Sequence, residues 1–285
     1  MSSARGLITD TIAFSSVDGP GNRFVVFLQG CNFDCIACHN PYTINVCNDC
    51  GDCLATCSTG ALTYGADGHV TWNEAVCDGT DTCIATCEWD ATPKARPREI
   101  AAVLADIRRA APFLSGITVS GGEATQQTEF VHALFSAVKA DPVLQRLTCF
   151  VDSNGAAGRQ VWERLAPVMD GAMIDLKCLD PQIHKAMTGQ PNDEVLETIR
   201  YLHAIGKLYE VRLLLLPGVN DDPELLRSTA DWLAEVDPQM RLKLIGFRPH
   251  GVRPNERELE QPTPDHMDRY RSTFENRAQF NICSV

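Results

Sequence analysis

The fold is decided by residues 18–40, which read DGPGNRFVVFLQGCNFDCIACHN. The apolar run FVVFLQG, residues 24–30, predicts a buried β-strand because it is continuous and rich in β-branched and aromatic residues. Cys31, Cys35 and Cys38 follow directly, in the spacing C-x3-C-x2-C. Three thiolates on one short loop can each hold one iron of a four-iron cluster and leave the fourth iron without a protein ligand. As at catalytic zinc sites, a vacant ligand position indicates chemistry, whereas four protein ligands indicate a structural site.

The number and placement of the cysteines point to metal binding. The chain has 13 cysteines, and ten of them lie between Cys31 and Cys87. In a chain without a secretion signal, cysteines this dense indicate metal ligands rather than a disulfide framework. A zinc ion on the first three is the alternative, with His39 as the only nearby candidate for a fourth ligand. We expect the remaining three to fill apolar core positions: Cys149, Cys178 and Cys283.

Composition describes a globular protein with an acidic surface. The 285 residues include 25 Lys and Arg against 37 Asp and Glu, a formal charge of −12. This balance argues against nucleic acids and anionic membranes as partners, since both select basic surfaces. The first residues show no basic stretch followed by an apolar run, and no segment approaches the length of a membrane span. We therefore expect a cytoplasmic protein.

Strands and helices alternate along the chain after residue 97. Five more apolar runs predict buried strands: GITVS (116–120), LTCFVDS (147–153), GAMIDLK (171–177), YEVRLLLLP (209–217) and RLKLIGF (241–247). Between them, apolar residues at helical spacing predict amphipathic helices: 100–107, 128–139, 160–168, 193–205 and 224–235. This α/β pattern predicts a parallel sheet of six strands with ligands at their carboxyl ends. The pattern alone leaves a partial barrel and an open doubly wound sheet as alternatives.

The cysteine loop resembles that of radical S-adenosylmethionine (radical SAM) enzymes, in which the open iron binds the amino and carboxylate groups of that cofactor. Residues 18–40 as a whole are similar to the signature of glycyl radical enzyme activating proteins. With the cysteine-rich insert and the chain length, the sequence resembles the YjjW-type activases of that family. The resemblance implies a partial (β/α)6 radical SAM barrel with an inserted bacterial ferredoxin-like iron–sulfur domain.

The resemblance also implies the activity. A reduced four-iron four-sulfur cluster on Cys31, Cys35 and Cys38 would cleave S-adenosylmethionine to a 5′-deoxyadenosyl radical. This radical would remove a hydrogen atom from a glycine of a partner glycyl radical enzyme, in anaerobic conditions. A low-potential donor such as flavodoxin or ferredoxin would supply the electron. Radical chemistry on a small molecule, and a non-catalytic iron–sulfur carrier, are the alternatives.

Three features near the strand ends suggest a cofactor pocket. Two adjacent glycines, Gly121 and Gly122, allow the backbone to approach a ligand without an intervening Cβ atom. Strand alternation places Asp175 and Lys177 on one face, either for a ligand or as a buried ion pair. Arg212 is a lone charge in an apolar run, so it needs either a ligand carboxylate or a structural salt bridge.

Residue by residue, the resemblance assigns these positions to the cofactor. The backbone of the cluster loop would contact adenine: Ala37, Cys38, His39 and Asn40. The backbone of Gly121, Gly122 and Glu123 would contact the amino group. Lys177 and its neighbour Leu176 would contact the carboxylate or ribose, Arg212 the carboxylate, and either Arg248 or His250 the ribose. Oxygen ligands for a monovalent cation would come from Asp152, Ser153 and Asp175, and Asp18 would face the partner's glycine loop.

Residues 41–92 are predicted to form a separate ferredoxin-like insert, with residues 1–40 and 93–285 forming the barrel. The insert has eight acidic residues and no Lys or Arg. One run matches the bacterial ferredoxin spacing C-x2-C-x2-C-x3-C, in which the fourth cysteine ligates the other cluster: Cys47, Cys50, Cys53 and Cys57. Exchange of fourth ligands predicts one cluster on Cys47, Cys50, Cys53 and Cys87 and another on Cys57, Cys77 and Cys83. Thr80 stands where the second run needs a cysteine, so that cluster could be a three-iron form, recruit Asp78 or Asp81, or be absent.

Overall fold

The computed structural model describes residues 4–254 and 258–285. Its strands are β1 (Arg5–Ser15), β2 (Arg23–Leu28), β3 (Leu62–Tyr64), β4 (Val70–Trp72), β5 (Arg96–Glu99), β6 (Gly116–Gly121), β7 (Thr148–Ser153), β8 (Gly171–Asp175), β9 (Leu208–Leu215), β10 (Arg241–Gly246) and β11 (Asn281–Ser284). Nine of them form one sheet in the order β11-β10-β9-β8-β7-β6-β2-β1-β5. The six strands predicted from the sequence are all present, and each runs parallel to its neighbours among the six.

Three strands of this sheet lie outside the predicted set. β11 continues the sheet in parallel beside β10. β1 runs antiparallel to both β2 and β5 at the opposite edge. The sheet is therefore mostly parallel, with an antiparallel edge.

The helices are α1 (Thr82–Thr86), α2 (Ile100–Ala110), α3 (Thr128–Ala140), α4 (Arg159–Leu165), α5 (Pro181–Thr188), α6 (Asp193–Ala204), α7 (Pro223–Val236) and α8 (Pro264–Glu275). The five helices predicted from the sequence correspond to α2, α3, α4, α6 and α7. α5 is an unpredicted helix that begins with a proline, and Asp180 caps it by accepting hydrogen bonds from the amides of Gln182 and Ile183.

The packing decides between the two architectures that the sequence left open. Side chains of α2, α3, α4, α6, α7 and α8 belong to one apolar cluster together with every second residue of the parallel strands. On β9, for example, Val211 and Leu213 face this cluster, whereas on the opposite face Glu210 bonds to β10 and Arg212 bonds to β7. A doubly wound sheet would divide its helices between two faces. The single helical layer is that of a partial barrel, and we call the other face of the sheet its inner face.

The segment 41–92 has a small apolar cluster of its own. It contains the hairpin β3–β4, helix α1 and three short 3-10 turns. The buried members of its cluster are Cys53, Leu62 and Cys83.

The outlying cysteines partly follow the prediction. Cys149 and Cys178 are buried as expected, whereas Cys283 is exposed because β11 is the edge strand of the sheet. Within the described part of the chain, none of the helices is long and apolar enough to span a bilayer.

Candidate functional site

A cavity of about 270 Å³ lies where the loop after β2 meets the carboxyl ends of β6 to β10. Fourteen of the predicted site residues line it: Cys31, Cys35, Ala37, Cys38, His39, Asn40, Gly121, Gly122, Glu123, Asp152, Ser153, Asp175, Lys177 and Arg212. Apart from the seven cysteines of the insert, four predicted site residues do not line it: Asp18, Leu176, Arg248 and His250. The structure thus brings three cysteines and most of the predicted cofactor residues to one side of the sheet.

The three cysteines of the loop are largely withdrawn from water. Burial raises the pKa of Cys31 to about 12 and that of Cys35 to about 11, and burial also raises the pKa of Cys38. Without a cation these thiols would stay protonated at neutral pH. A bound metal deprotonates its thiol ligands. The three thiols therefore fit an iron cluster, because the positive charge of the iron would stabilise their thiolate forms.

The two glycines at the end of β6 allow close packing against the cluster loop. Gly121 has a φ of +123°, and a Cβ atom there would lie 2.1 Å from the amide nitrogen of Leu28. A Cβ atom on Gly122 would lie 2.3 Å from the carbonyl oxygen of Gly30. The amides of Gly122 and Glu123 donate to the carbonyl oxygens of Leu28 and Gly30, at 2.8 and 2.7 Å. Side chains at either glycine would push β6 away from the loop.

The carboxylate of Glu123 is buried and held by four donors. Its Oε1 accepts from the amide and the hydroxyl of Thr125, at 2.9 and 2.7 Å, and from the hydroxyl of Ser153 at 2.8 Å. Its Oε2 accepts from the amide of Asn154 at 2.7 Å. Burial raises the pKa of Glu123, and these hydrogen bonds oppose the shift. The side chain therefore joins the end of β6 to the end of β7.

Ion pairs that are largely shielded from water occupy the inner face beneath the cavity. Arg212 bonds to Asp152 at 3.0 Å and to Glu210 at 2.8 Å. β8 ends at Asp175, and Lys177, two residues further along the chain, bonds to Asp175 at 2.7 Å. Burial alone would lower the pKa of Lys177, but Asp175 and Cys35 raise it above its usual value. Burial raises the pKa of Asp152, against the influence of Arg212. Both structural ion pairs that the sequence allowed are present, and both line the cavity.

The loop between β1 and β2 crosses the inner face of the sheet. The carbonyl oxygen of Val17 accepts from Nζ of Lys243 at 3.3 Å and from Nη2 of Arg212 at 3.4 Å. The carbonyl oxygen of Asp18 accepts from the hydroxyl of Thr118 at 2.6 Å, and its carboxylate accepts from Ser15. This loop therefore spans from β10 to β6 and lies outside the cavity. The role of Lys243 has no signal in the sequence.

Comparison with known proteins identifies the family. The model of the radical SAM superfamily matches residues 25–229. The chain is 31% identical over 275 residues to the pyruvate formate-lyase-activating enzyme of Streptococcus mutans serotype c (strain ATCC 700610 / UA159), covering 92% of this chain and 88% of that one. This chain belongs to the glycyl radical enzyme activating enzymes of the radical SAM superfamily. It is also 31% identical over 243 residues to the 4-hydroxyphenylacetate decarboxylase activating enzyme of Clostridioides difficile (strain CD196), covering 77% of this chain and 75% of that enzyme.

Solved structures show the same fold at lower identity. QueE from Escherichia coli superposes with a TM-score of 0.56 at 12% identity, covering 99% of this chain and 94% of that one. The α/β radical SAM fold is therefore shown for this activating enzyme.

An arginine that sequence analysis missed connects three segments of this activating enzyme. The guanidinium of Arg253 bonds to the carboxylates of Asp34 in the cluster loop and Asp90 in the insert. It also donates to the carbonyl oxygen of Cys35 at 3.3 Å. Arg253 thus ties the insert to the cluster loop. No local pattern predicts this, because its partners are far away in the sequence.

The two candidates for the ribose contact lie at the surface of this activating enzyme. Arg248 and His250 are both exposed and stand beyond the end of β10. The carbonyl oxygen of Arg248 bonds to the ring of His39 at 2.9 Å, so the segment is joined to the cluster loop. The structure favours neither of the two side chains.

The insert of this activating enzyme gathers its seven cysteines into two groups. Cys47, Cys50, Cys53 and Cys87 line a cavity of about 290 Å³. The other three, Cys57, Cys77 and Cys83, line a second and much smaller cavity of about 10 Å³. Across residues 4–254 and 258–285, three or more His, Cys, Asp or Glu residues are nowhere close enough to hold a single metal ion. In an iron–sulfur cluster each thiolate binds a different iron. The absence of a site for a single metal ion therefore does not bear on a cluster.

Proposed function

We propose that this activating enzyme holds a four-iron cluster on Cys31, Cys35 and Cys38 and binds S-adenosylmethionine in the adjoining cavity. The observation that carries this proposal is the placement of three partly buried thiols in one cavity at the carboxyl ends of five strands. When bound, the cluster supplies one electron to the sulfonium group, which yields methionine and a 5′-deoxyadenosyl radical that removes a hydrogen atom from a glycine of the partner enzyme.

The chain itself would bind and orient the methionine end of the cofactor. The amino group of the cofactor donates hydrogen bonds, so carbonyl oxygens of the Gly-Gly-Glu segment would bind it, while the amides of Gly122 and Glu123 hold β2 and its loop. Lys177 and Arg212 line the same cavity and would attract the carboxylate. Walls built by the strand ends would keep water and oxygen from the radical.

A monovalent cation would balance the negative charge of the cavity once the cofactor is bound. If Lys177 and Arg212 turn towards the cofactor carboxylate, the carboxylates of Asp175 and Asp152 lose their partners. Two partly buried carboxylates that line one cavity without cationic partners need a cation, and hard oxygen atoms suit one. The hydroxyl of Ser153 donates its hydrogen to Glu123, and its oxygen keeps lone pairs that could join the two carboxylates as a ligand.

The insert is proposed to be ferredoxin-like and to relay electrons through a cluster on Cys47, Cys50, Cys53 and Cys87. Support comes from the 290 Å³ cavity that these four residues share. A short covalent path leads from Cys47 to Ile44, whose carbonyl oxygen accepts from the amide of Cys31 at 2.8 Å. An external donor such as flavodoxin or ferredoxin would deliver the electron. This chemistry requires anaerobic, reducing conditions, in keeping with the expected cytoplasmic location.

The glycine loop of the partner is proposed to approach beside Asp18. The two relatives described above are named for the activation of different enzymes, a pyruvate formate-lyase and a 4-hydroxyphenylacetate decarboxylase. Both are 31% identical to this chain, so sequence similarity does not single out one partner. Phe14 and Phe113 lie next to this loop, largely exposed and in edge-to-face contact with a centroid distance of 6.0 Å. Exposed aromatic pairs of this kind are typical of protein contact surfaces.

The test uses an isolated glycine-loop peptide with deuterium on the α-carbon of the target glycine. Under anaerobic reduction with S-adenosylmethionine, we expect deuterium in the 5′-deoxyadenosine product. The Cys35→Ser variant is the control and should give no 5′-deoxyadenosine. Abundant 5′-deoxyadenosine that never carries the peptide's deuterium would favour a small-molecule substrate, and none at all would favour an iron–sulfur carrier.

A further inference from the structure

We infer that the insert holds a single cluster, on Cys47, Cys50, Cys53 and Cys87, and that Cys57, Cys77 and Cys83 line a packing site that takes no iron. The first half of this inference rests on the proposed function. The second half rests on the size and the lining of the smaller cavity in the insert.

The two cysteine groups differ sharply in the space that they enclose. The first surrounds about 290 Å³. The second surrounds about 10 Å³. A cavity of roughly 10–15 Å³ by this measure holds one water molecule at most. A core of several iron and sulfide atoms therefore fits the first cavity and does not fit the second.

The corner where a fourth cysteine would stand is closed by hydrogen bonds. Thr80 donates to Oδ1 of Asp78 through its amide at 3.2 Å and through its hydroxyl at 2.9 Å. The other oxygen of Asp78 accepts from the hydroxyl of Ser58 at 3.0 Å. Since Asp78 is engaged by both oxygens, it is not arranged as a substitute for the missing thiolate.

A lysine occupies the remaining side of this cavity. The ammonium of Lys94 bonds to the carboxylate of Asp81 and lies 5.8 Å from the centroid of the Trp72 ring. Lys94, Asp81 and Trp72 all line the cavity together with the three cysteines. The lysine side chain is only 15% exposed, so it is packed against the insert. Asp81, the other carboxylate that could replace a cysteine, is 58% exposed and is paired with this lysine.

These contacts give the site a structural role in place of a cluster. Asp81 immediately precedes α1, and Lys94 belongs to the segment that leads from the insert to β5. The ion pair therefore fastens α1 to the end of the insert. A cluster on three cysteines would join the same segments, so the ion pair takes the structural place of a cluster.

Iron content of the full-length protein, reconstituted anaerobically and analysed by Mössbauer spectroscopy, tests the inference. We expect about 8 irons per chain in two four-iron clusters. About 11 or 12 irons, or a three-iron signal, would overturn the second half, and about 4 irons would overturn the first. The 5′-deoxyadenosine assay reports separately on the proposed activity, because it depends on the Cys31 cluster.

Two variants and a labelling measurement complete the test. The triple Cys57→Ser, Cys77→Ser, Cys83→Ser variant should keep its full iron content, whereas the triple Cys47→Ser, Cys50→Ser, Cys53→Ser variant should lose about 4 irons. Because either variant could fold poorly, the unmodified holoprotein is also treated with iodoacetamide and mapped by mass spectrometry. Cys57 and Cys77 should be alkylated while Cys47 and Cys50 are protected. Equal protection of both groups would contradict the inference.

Discussion

The substitution Glu123→Gln tests whether the buried carboxylate holds the end of β6 to the end of β7. The carboxylate has only acceptor atoms, and it accepts four hydrogen bonds. A glutamine can keep its oxygen towards Thr125 and Ser153, but its NH2 group then faces the amide of Asn154. Two donors would meet in a site that is 1% exposed.

The magnitude follows from the bonds that are lost. A hydrogen bond to a charged group is worth about 1.5–3 kcal/mol, and a buried donor left without an acceptor costs a similar amount. With partial relaxation of the site we expect a loss of about 3 kcal/mol in the free energy of unfolding. For a chain of this size each kcal/mol lowers Tm by roughly 2–4 °C, so Tm should fall by about 6–12 °C.

Thermal unfolding of the anaerobic holoprotein, followed by circular dichroism, is the assay. Glu129→Gln is the matched control, because Glu129 is 74% exposed in a surface pair with Arg164 and should cost at most about 1 kcal/mol. If Glu123→Gln and Glu129→Gln shift Tm equally, the carboxylate does not hold the two strand ends together. If Glu123→Gln unfolds normally but binds S-adenosylmethionine poorly, its role is in ligand binding instead.

Three further predictions concern other contacts of the site. Arg253→Ala should slow 5′-deoxyadenosine formation several-fold with flavodoxin as donor and leave it nearly unchanged with a small chemical reductant, because it removes the ion pairs that join the insert to the cluster loop. The control Arg271→Ala removes only an exposed helical pair with Glu275, and an equal loss with both reductants would contradict a role of Arg253 in electron delivery. Lys243→Met should raise KM for the glycine-loop peptide several-fold without changing cofactor cleavage in its absence, since it removes one of the two donors to the Val17 carbonyl oxygen, and Lys243→Arg should rescue it. Because burial raises the pKa of all three loop thiols, protons compete with iron, and a chelator should remove the Cys31 cluster faster at pH 6 than at pH 8; a rate independent of pH would refute this.

The fold was largely predictable where strands are buried on both faces. Continuous apolar runs such as residues 147–153 have no other stable place than the middle of a sheet. β5, with the sequence RPRE, and the four-residue β11 are edge strands whose residues carry no such pattern. α8 was also missed, since only Tyr270 and Phe274 of its residues are buried.

The site was predictable only as far as local spacing reaches. The cysteine loop and the Gly-Gly-Glu segment are short patterns, and both line the cavity. The ion pairs of Arg212 depend on which strands become neighbours, so the sequence left them as one of two alternatives. Arg253 contacts residues more than 160 positions away, which no local pattern can indicate.

The two ends of the cysteine-rich segment meet where it leaves the sheet. The amide of Asn45 donates to the carbonyl oxygen of Asp90 at 3.1 Å, and its side-chain amide donates to the carbonyl oxygen of Trp89 at 3.0 Å. A segment whose ends touch can be removed and replaced by a short turn without moving the strands around it. The electron-transfer module of such an enzyme could therefore be replaced during evolution while the radical chemistry stays in place. Protein engineers could graft a different redox module at the same junction.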